Sequence, residues 1–171
     1  MDTSRRRFLQ ISSLVGGTAV LSPLPIAEAA AGKKKSDGTI SLPELPISDL
    51  ASLKSAGHKP FNYPDKSSPC IALWLDTPVA FGAGSEKRVV AYSMLCTHQG
   101  CPVNYDPNQK VFKCPCHFSK FDAEKSGQMI CGQATTSLPL IDLHVDETSG
   151  KITAIGVQGL IYGRTSNHAL T

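Results

Sequence analysis

A mainly β fold is the expectation for this chain, and three observations carry it. Short apolar runs recur along its middle and end, clusters of turn-forming residues separate them, and a single window has the pattern of a helix. The runs are Cys70 to Leu75, Arg88 to Leu95, Lys110 to Cys114, Gln128 to Cys131, Ile141 to Val145 and Lys151 to Val157, all of strand rather than helix length. Between them stand Gly82-Ala83-Gly84-Ser85, Asp106-Pro107-Asn108 and Asp146-Glu147-Thr148-Ser149-Gly150, residue types that reverse a chain at low steric cost. The helical window is Ile47 to Ala56, with Ser48 or Asp49 placed to cap it. Trp74 and the Val89-Val90 pair read as core. With no internal repeat, the pattern describes a small antiparallel sandwich or barrel.

Composition narrows the class. Hydrophobic residues make up 41% and charged residues 18%, which suits a packed core and argues against disorder. At 171 residues there is room for one compact domain and a small subdomain. The net charge is +3, of which Lys33-Lys34-Lys35 alone could supply all. A near-neutral body has no attraction for a polyanion, so a nucleic acid is not an expected partner.

The amino terminus reads as an address. Ser4-Arg5-Arg6-Arg7-Phe8-Leu9 resembles the twin-arginine export motif, and an uncharged stretch follows from Phe8 to Ala27. That stretch is about long enough to span a bilayer. It contains Gly16-Gly17, Pro23, Pro25 and several serines, which make a poor lipid-embedded helix, and Ala27-Glu28-Ala29 offers small residues to a peptidase. Residues 1–29 are therefore expected to be a signal segment, with membrane contact only if it is retained. Residues 30–39 are a linker of Ala, Gly, Lys and Ser, and 40–171 the folded body. The twin-arginine route carries folded proteins, which suits a chain that acquires a cofactor before export to the periplasm.

Two segments hold most of the chemistry: Cys96-Thr97-His98-Gln99-Gly100-Cys101 and Cys114-Pro115-Cys116-His117-Phe118-Ser119. Each ends an expected strand, and a turn signal stands midway between them, so two adjacent loop tips could each bring a thiolate and an imidazole to one point. Soft thiolate suits iron bound to sulfide, and imidazole is a neutral ligand that iron also accepts.

The two segments resemble the paired boxes of the Rieske family, C-T-H-x-G-C and C-P-C-H-x-S. The resemblance implies one [2Fe–2S] cluster, with Cys96 and Cys114 on one iron and His98 and His117 on the other. It implies a Cys101–Cys116 disulfide joining the loops, a cluster-binding part over about 94–135, and a Ser119 hydroxyl donating to a bridging sulfide. Two imidazoles in place of two thiolates lower the negative charge at the cluster, so Rieske potentials span about −150 to +300 mV against about −400 mV for plant-type ferredoxins. Cysteine and histidine at close spacing also make zinc sites. Zinc explains neither the agreement across each whole box nor the extra cysteine in each. The family's G-P-A-P covering loop is matched by Gly132-Gln133-Ala134-Thr135, which keeps Gly and Ala but neither proline. Cys70 and Cys131 are packed thiols or a second disulfide, and His58, His144 and His168 fall outside any ligand pattern.

Quinol-oxidising members of the family usually show Gly at the place of Phe118 and Tyr at that of Phe121, the Tyr donating to a ligand cysteine sulfur. Here both are Phe. Gly127-Gln128-Met129-Ile130-Cys131-Gly132 and the tail Gly159-Leu160-Ile161-Tyr162-Gly163-Arg164 resemble the small subunit of bacterial arsenite oxidase. That resemblance implies an electron-transfer subunit with no substrate chemistry of its own. A large molybdopterin subunit would be its partner, and a cytochrome c or blue copper protein its acceptor. The competing expectations are a membrane-anchored Rieske subunit of a quinol:cytochrome oxidoreductase and a zinc-binding module.

Overall fold

The computed structural model describes residues 42–168, so the signal segment and linker expected over 1–39 lie outside the described residues. The elements are β1 (Leu45–Asp49), α1 (Leu50–Ala56), β2 (His58–Asn62), β3 (Pro69–Trp74), β4 (Val89–Ser93), β5 (Asn104–Asp106), β6 (Val111–Lys113), β7 (Lys120–Asp122), β8 (Gln128–Cys131), β9 (Leu140–Val145) and β10 (Lys151–Gln158). They form two antiparallel sheets, a larger one in the order β1-β10-β9-β4-β3-β2 and a smaller one in the order β5-β6-β7-β8. The smaller sheet lies wholly between β4 and β9 in sequence. Among the described residues no helix is long and apolar enough to cross a membrane.

The two edge strands of the larger sheet each carry a proline, Pro46 in β1 and Pro60 in β2. Proline cannot donate to a ladder, so it belongs at an edge. Those edges touch, and α1 connects them, so the sheet curls into a nearly closed barrel. The helix is shorter than the sequence pattern suggests. Ile47 to Asp49 belong to β1, where Ser48 and Asp49 pair with Ile152 and Lys151 of β10. Asp49 is the cap, its carboxylate accepting the Ser52 N–H at 2.8 Å, and Gly57 ends the helix at φ 76°.

β3 and β4 are buried on both faces, which explains their unbroken apolar runs. Cys70, Ala72, Val89 and Ala91 point into the barrel with Ile141, Ile152 and Ala154. Ile71, Leu73, Val90 and Tyr92 point the other way, onto Phe112 and Phe121 of the smaller sheet. Tyr92 meets Phe112 edge-on at 5.3 Å, and its hydroxyl donates to the Ala123 carbonyl at 2.7 Å. Each large side chain buried in that seam contributes about 1.5–3 kcal/mol, against about 0–1 kcal/mol for an exposed ion pair. Packing therefore holds the smaller sheet to the barrel. Trp74 is half-buried at the core's margin, with the Lys54 ammonium 5.0 Å from its ring centroid.

The tail after β10 is anchored by polar contacts. Arg164 Nη2 lies 2.5 Å from Asp65 Oδ2 and donates to Ser68 Oγ at 2.5 Å. The Arg164 guanidinium and Ser67 hold the Asp65 carboxyl down from 3.8 to about 2. A carboxyl depressed in the folded state contributes stability that is present above its unfolded value and lost as pH falls through its folded one. Thermal melts of the unaltered chain and Asp65→Asn should therefore differ above pH 4 and converge toward pH 2. Equal melting temperatures at neutral pH would show that the pair stabilises nothing.

Candidate cluster site

Both boxes are loop tips closed in the same way. Box 1 leaves β4, with Leu95 bridged to Pro102, and the Cys96 N–H donates to the Cys101 carbonyl at 2.8 Å. Box 2 joins β6 to β7, with Lys113 paired to Lys120, and the Cys114 N–H donates to the Ser119 carbonyl at 2.9 Å. Each clasp ties the first residue of a box to its last. Gly100 N–H also donates to the Cys96 carbonyl at 2.8 Å, and Gly100 sits at φ 72°, where glycine bears no Cβ penalty.

The structure pairs Cys96 with Cys114 and His98 with His117, one member of each pair from each box. Cys96 and Cys114 are both buried, and their thiols are close enough to influence each other. Burial pushes the Cys96 thiol up, as does the Cys114 thiol beside it, while backbone N–H bonds from His98 and Gln99 pull the other way. The His98 and His117 rings stand at 85° with centroids 4.7 Å apart. His98 Nδ1 is buried with no hydrogen-bond partner among the described residues. A buried ring nitrogen without a partner is costly unless something absent from the polypeptide accepts its lone pair. Two buried thiols and an orphaned imidazole nitrogen are donors suited to iron, so the residues present fit the cluster.

The Cys101–Cys116 disulfide joins the loops with a Cα separation of 6.5 Å, and the sulfurs of Cys101, Cys114 and Cys116 all lie within 4.8 Å of one another. Closing a loop of about 15 residues contributes about 3 kcal/mol in the chain-entropy model. Cys70 and Cys131 are free thiols. Cys70 lies in the barrel, pushed up to about 12 by burial, and donates to the carbonyls of Tyr63 and Ser68; Cys131 is exposed at the end of β8.

Ser119 holds a third loop rather than pointing at the boxes alone. Its fully buried Oγ accepts the N–H groups of Gln133 and Ala134, both at 3.0 Å. A hydroxyl with two acceptances has its one proton left to donate, which is compatible with the expected bond to a bridging sulfide. The covering loop at 132–135 thus lacks the family prolines but is riveted by hydrogen bonds. Thr97 Oγ1 of box 1 adds another, to the Thr136 carbonyl at 2.8 Å. Sequence reasoning named Gly132 and Tyr162 but not their contacts: a Cβ added at Gly132 would stand 2.3 Å from Ser119 Cα, and the Tyr162 ring lies on Gly100. The sequence signal for Gly132 is the glycine itself at the head of a covering loop.

Phe118 is 76% exposed and held at φ 60°, a conformation glycine adopts freely, beside exposed His117. Phe121 is fully buried in the same apolar cluster as Cys96 and Cys114 and pairs with Phe112 across the ladder. A hydroxyl introduced there would lie inside that buried cluster. Any donor aimed at a cluster sulfur favours the reduced, more negative state. A hydrogen bond to a charged group is worth about 1.5–3 kcal/mol, and a one-electron couple moves about 59 mV per tenfold change in equilibrium constant. Only the difference between oxidation states counts, so Phe121→Tyr should raise the potential by roughly several tens of millivolts. Protein-film voltammetry reads this directly, and an unchanged or lower potential would show that position 121 does not tune the cluster.

The model of the Rieske [2Fe-2S] domain family matches residues 62–142, which take in both boxes and the covering loop. Two relatives extend over nearly the whole chain. The iodate reductase subunit IdrB of Denitromonas iodatirespirans is 39% identical over 171 residues, 97% of this chain and 87% of that one. Its counterpart in Pseudomonas sp. (strain SCT) is 36% identical over 167 residues, 94% of this chain and 82% of that one. Among solved structures, the soluble domain of the Rieske protein II (soxF) from Sulfolobus acidocaldarius superposes with a TM-score of 0.66 at 20% identity, covering 77% of this chain and 86% of that one, a likeness of fold. A barrel with an inserted small sheet, two clasped boxes joined by a disulfide, and relatives matched almost end to end lead to one conclusion: the chain belongs to the Rieske [2Fe–2S] family and carries a single such cluster.

Proposed function

We propose that this chain is the electron-transfer subunit of an exported molybdopterin oxidoreductase of the iodate reductase kind. The observation that carries the reading is the similarity to two iodate reductase subunits across more than nine-tenths of the chain. Cys96 and Cys114 would hold one iron, and His98 and His117 the other. Adjacent buried thiols and neighbouring imidazole rings support that division. When bound, the cluster takes up and gives back one electron. The chain's own residues keep its thiolate side buried and present His117, with Phe118 beside it, at an exposed tip. A cluster held there would relay electrons between a large catalytic subunit and a periplasmic cytochrome c or blue copper protein.

A second reading, the small subunit of arsenite oxidase, rests on the segments Gly127–Gly132 and Gly159–Arg164. The two readings send electrons in opposite directions. After purification with its large subunit, a dithionite-reduced and desalted complex should be reoxidised by iodate under anaerobic conditions. Reduction of the oxidised complex by arsenite, with no response to iodate, would select the arsenite reading. Failure of any large subunit to accompany the chain would remove both.

Export rests on Arg5-Arg6. Replacing Arg5, Arg6 and Arg7 together by lysine should leave the cluster-loaded chain in the cytoplasm, Arg7 being included because Arg6-Arg7 can serve as a shifted pair. Unchanged periplasmic yield from that variant would remove the export claim.

A further inference from the structure

Box 1 has a neighbour that comes from neither sheet. The ring of Tyr162 lies so close on Gly100 that a Cβ added there would meet Tyr162 Cδ1 at 2.4 Å and Cε1 at 2.6 Å. Tyr162 is 41% exposed, so one side of its ring covers the box and the other faces water. The segment that delivers it is built to stay in place. Ile161 is fully buried, and its N–H donates to Asn167 Oδ1 at 3.0 Å. Asn167 Nδ2 in turn donates to the Gly159 carbonyl at 2.7 Å. Arg164 fastens the segment to Asp65 and Ser68 just before β3. The Met94 N–H, at the base of box 1, donates to the Pro69 carbonyl at 2.8 Å. Tail and box are thus referenced to the same end of β3.

We infer that Tyr162 is a positioning residue for the cluster, its ring pressing on Gly100 to fix box 1 and to keep water from that flank. The inference rests on the ligand assignment above, because Gly100 lies between Cys96 and Cys101 and two residues from His98. Its physical content is electrostatic. Reduction adds one negative charge, and water stabilises the more highly charged state better than an aromatic ring does. Removing the ring should therefore raise the potential, and a less constrained box should broaden the spectrum of the reduced cluster. The ring is responsible and the hydroxyl is not, since it is the ring carbons that meet Gly100.

The test uses the full chain with its cluster loaded, carrying Tyr162→Ala, Tyr162→Leu or Tyr162→Phe. Iron and sulfide contents are measured first, then the midpoint potential and the electron paramagnetic resonance line widths. The expected result is an upward shift with broadened lines for Tyr162→Ala, a smaller shift for Tyr162→Leu, and values equal to the unaltered chain for Tyr162→Phe. If Tyr162→Ala loads no cluster, Tyr162→Leu and Tyr162→Phe decide in the same way. A Rieske spectrum and potential indifferent to the loss of the ring would overturn the inference and leave the ligand assignment standing. An unaltered chain with no Rieske spectrum would overturn both. A shift of equal size in Tyr162→Phe would move the effect to the hydroxyl and so overturn the role given to the ring.

Discussion

Replacing His98 or His117 by cysteine should change the cluster from Rieske type toward ferredoxin type, or lose it. A neutral imidazole becomes an anionic thiolate, so the reduced state gains a repulsive charge and the potential falls. Exchanging two imidazoles for two thiolates spans the interval from the Rieske range of about −150 to +300 mV down to about −400 mV. One exchange should then lower the potential by roughly 125–350 mV, taking half of that interval. Electron paramagnetic resonance of the reduced protein and its midpoint potential are the measurements. His98 has the stronger claim, because its buried Nδ1 has no hydrogen-bond partner among the described residues. If either variant kept a Rieske spectrum and an unchanged potential, that histidine would leave the ligand set.

The second large effect is expected where no ligand is touched. At Gly132 an added Cβ would stand 2.3 Å from Ser119 Cα, 2.6 Å from its N and 2.8 Å from its Oγ. Two of those atoms are backbone and cannot swing aside. The residue also sits at φ 106°, where a side chain is strained. Strain at such a position costs about 1–3 kcal/mol and overpacking about 1–3 kcal/mol more. Gly132→Ala should thus lose about 2–6 kcal/mol out of a total that is about 5–15 kcal/mol for a typical domain. The damage is local, since the Ser119 Oγ bonds to Gln133 and Ala134 must break for the loop to withdraw. A lower melting temperature and a reduced iron-to-protein ratio are expected, with Thr135→Ala, at an exposed site, as the comparison. Full cluster occupancy and an unchanged melt would show that the third loop does not secure the boxes.

How much of this is legible in the sequence depends on the range of the contact. The boxes are legible because ligand chemistry leaves little choice of residue type, and their thiol and imidazole spacings are local. The apolar runs that became β3, β4, β9 and β10 are legible because burial on one or both faces demands apolar side chains. β5 and β7 are too short to show alternation, and β2 carries Lys59 and Pro60 at a sheet edge where burial is slight. β1 is partly hidden in the helical window, since only its pairing with β10 makes Ile47 to Asp49 extended. Ser119 is legible as a box residue but not as the rivet of a loop. That role depends on Gly132 bringing two strand ends within contact distance. Tyr162 on Gly100 is longer in range still, and nothing in either segment taken alone announces it.

The matching clasps of the two boxes have a consequence for speed. An electron moves between centres only when the surrounding nuclei reach a geometry common to both charge states, and loosely held ligands must travel further to reach it. Here each box is closed by its own Cys N–H bond, joined to the other by a disulfide and roofed by a loop bonded to Ser119. A preorganised shell of this kind has little reorganisation left to do. The nuclear barrier to transfer should be small and nearly the same for gaining an electron as for giving one up. Such a centre conducts in whichever direction its neighbours' potentials dictate, so one protein design can serve a complex that withdraws electrons from its substrate or one that delivers them.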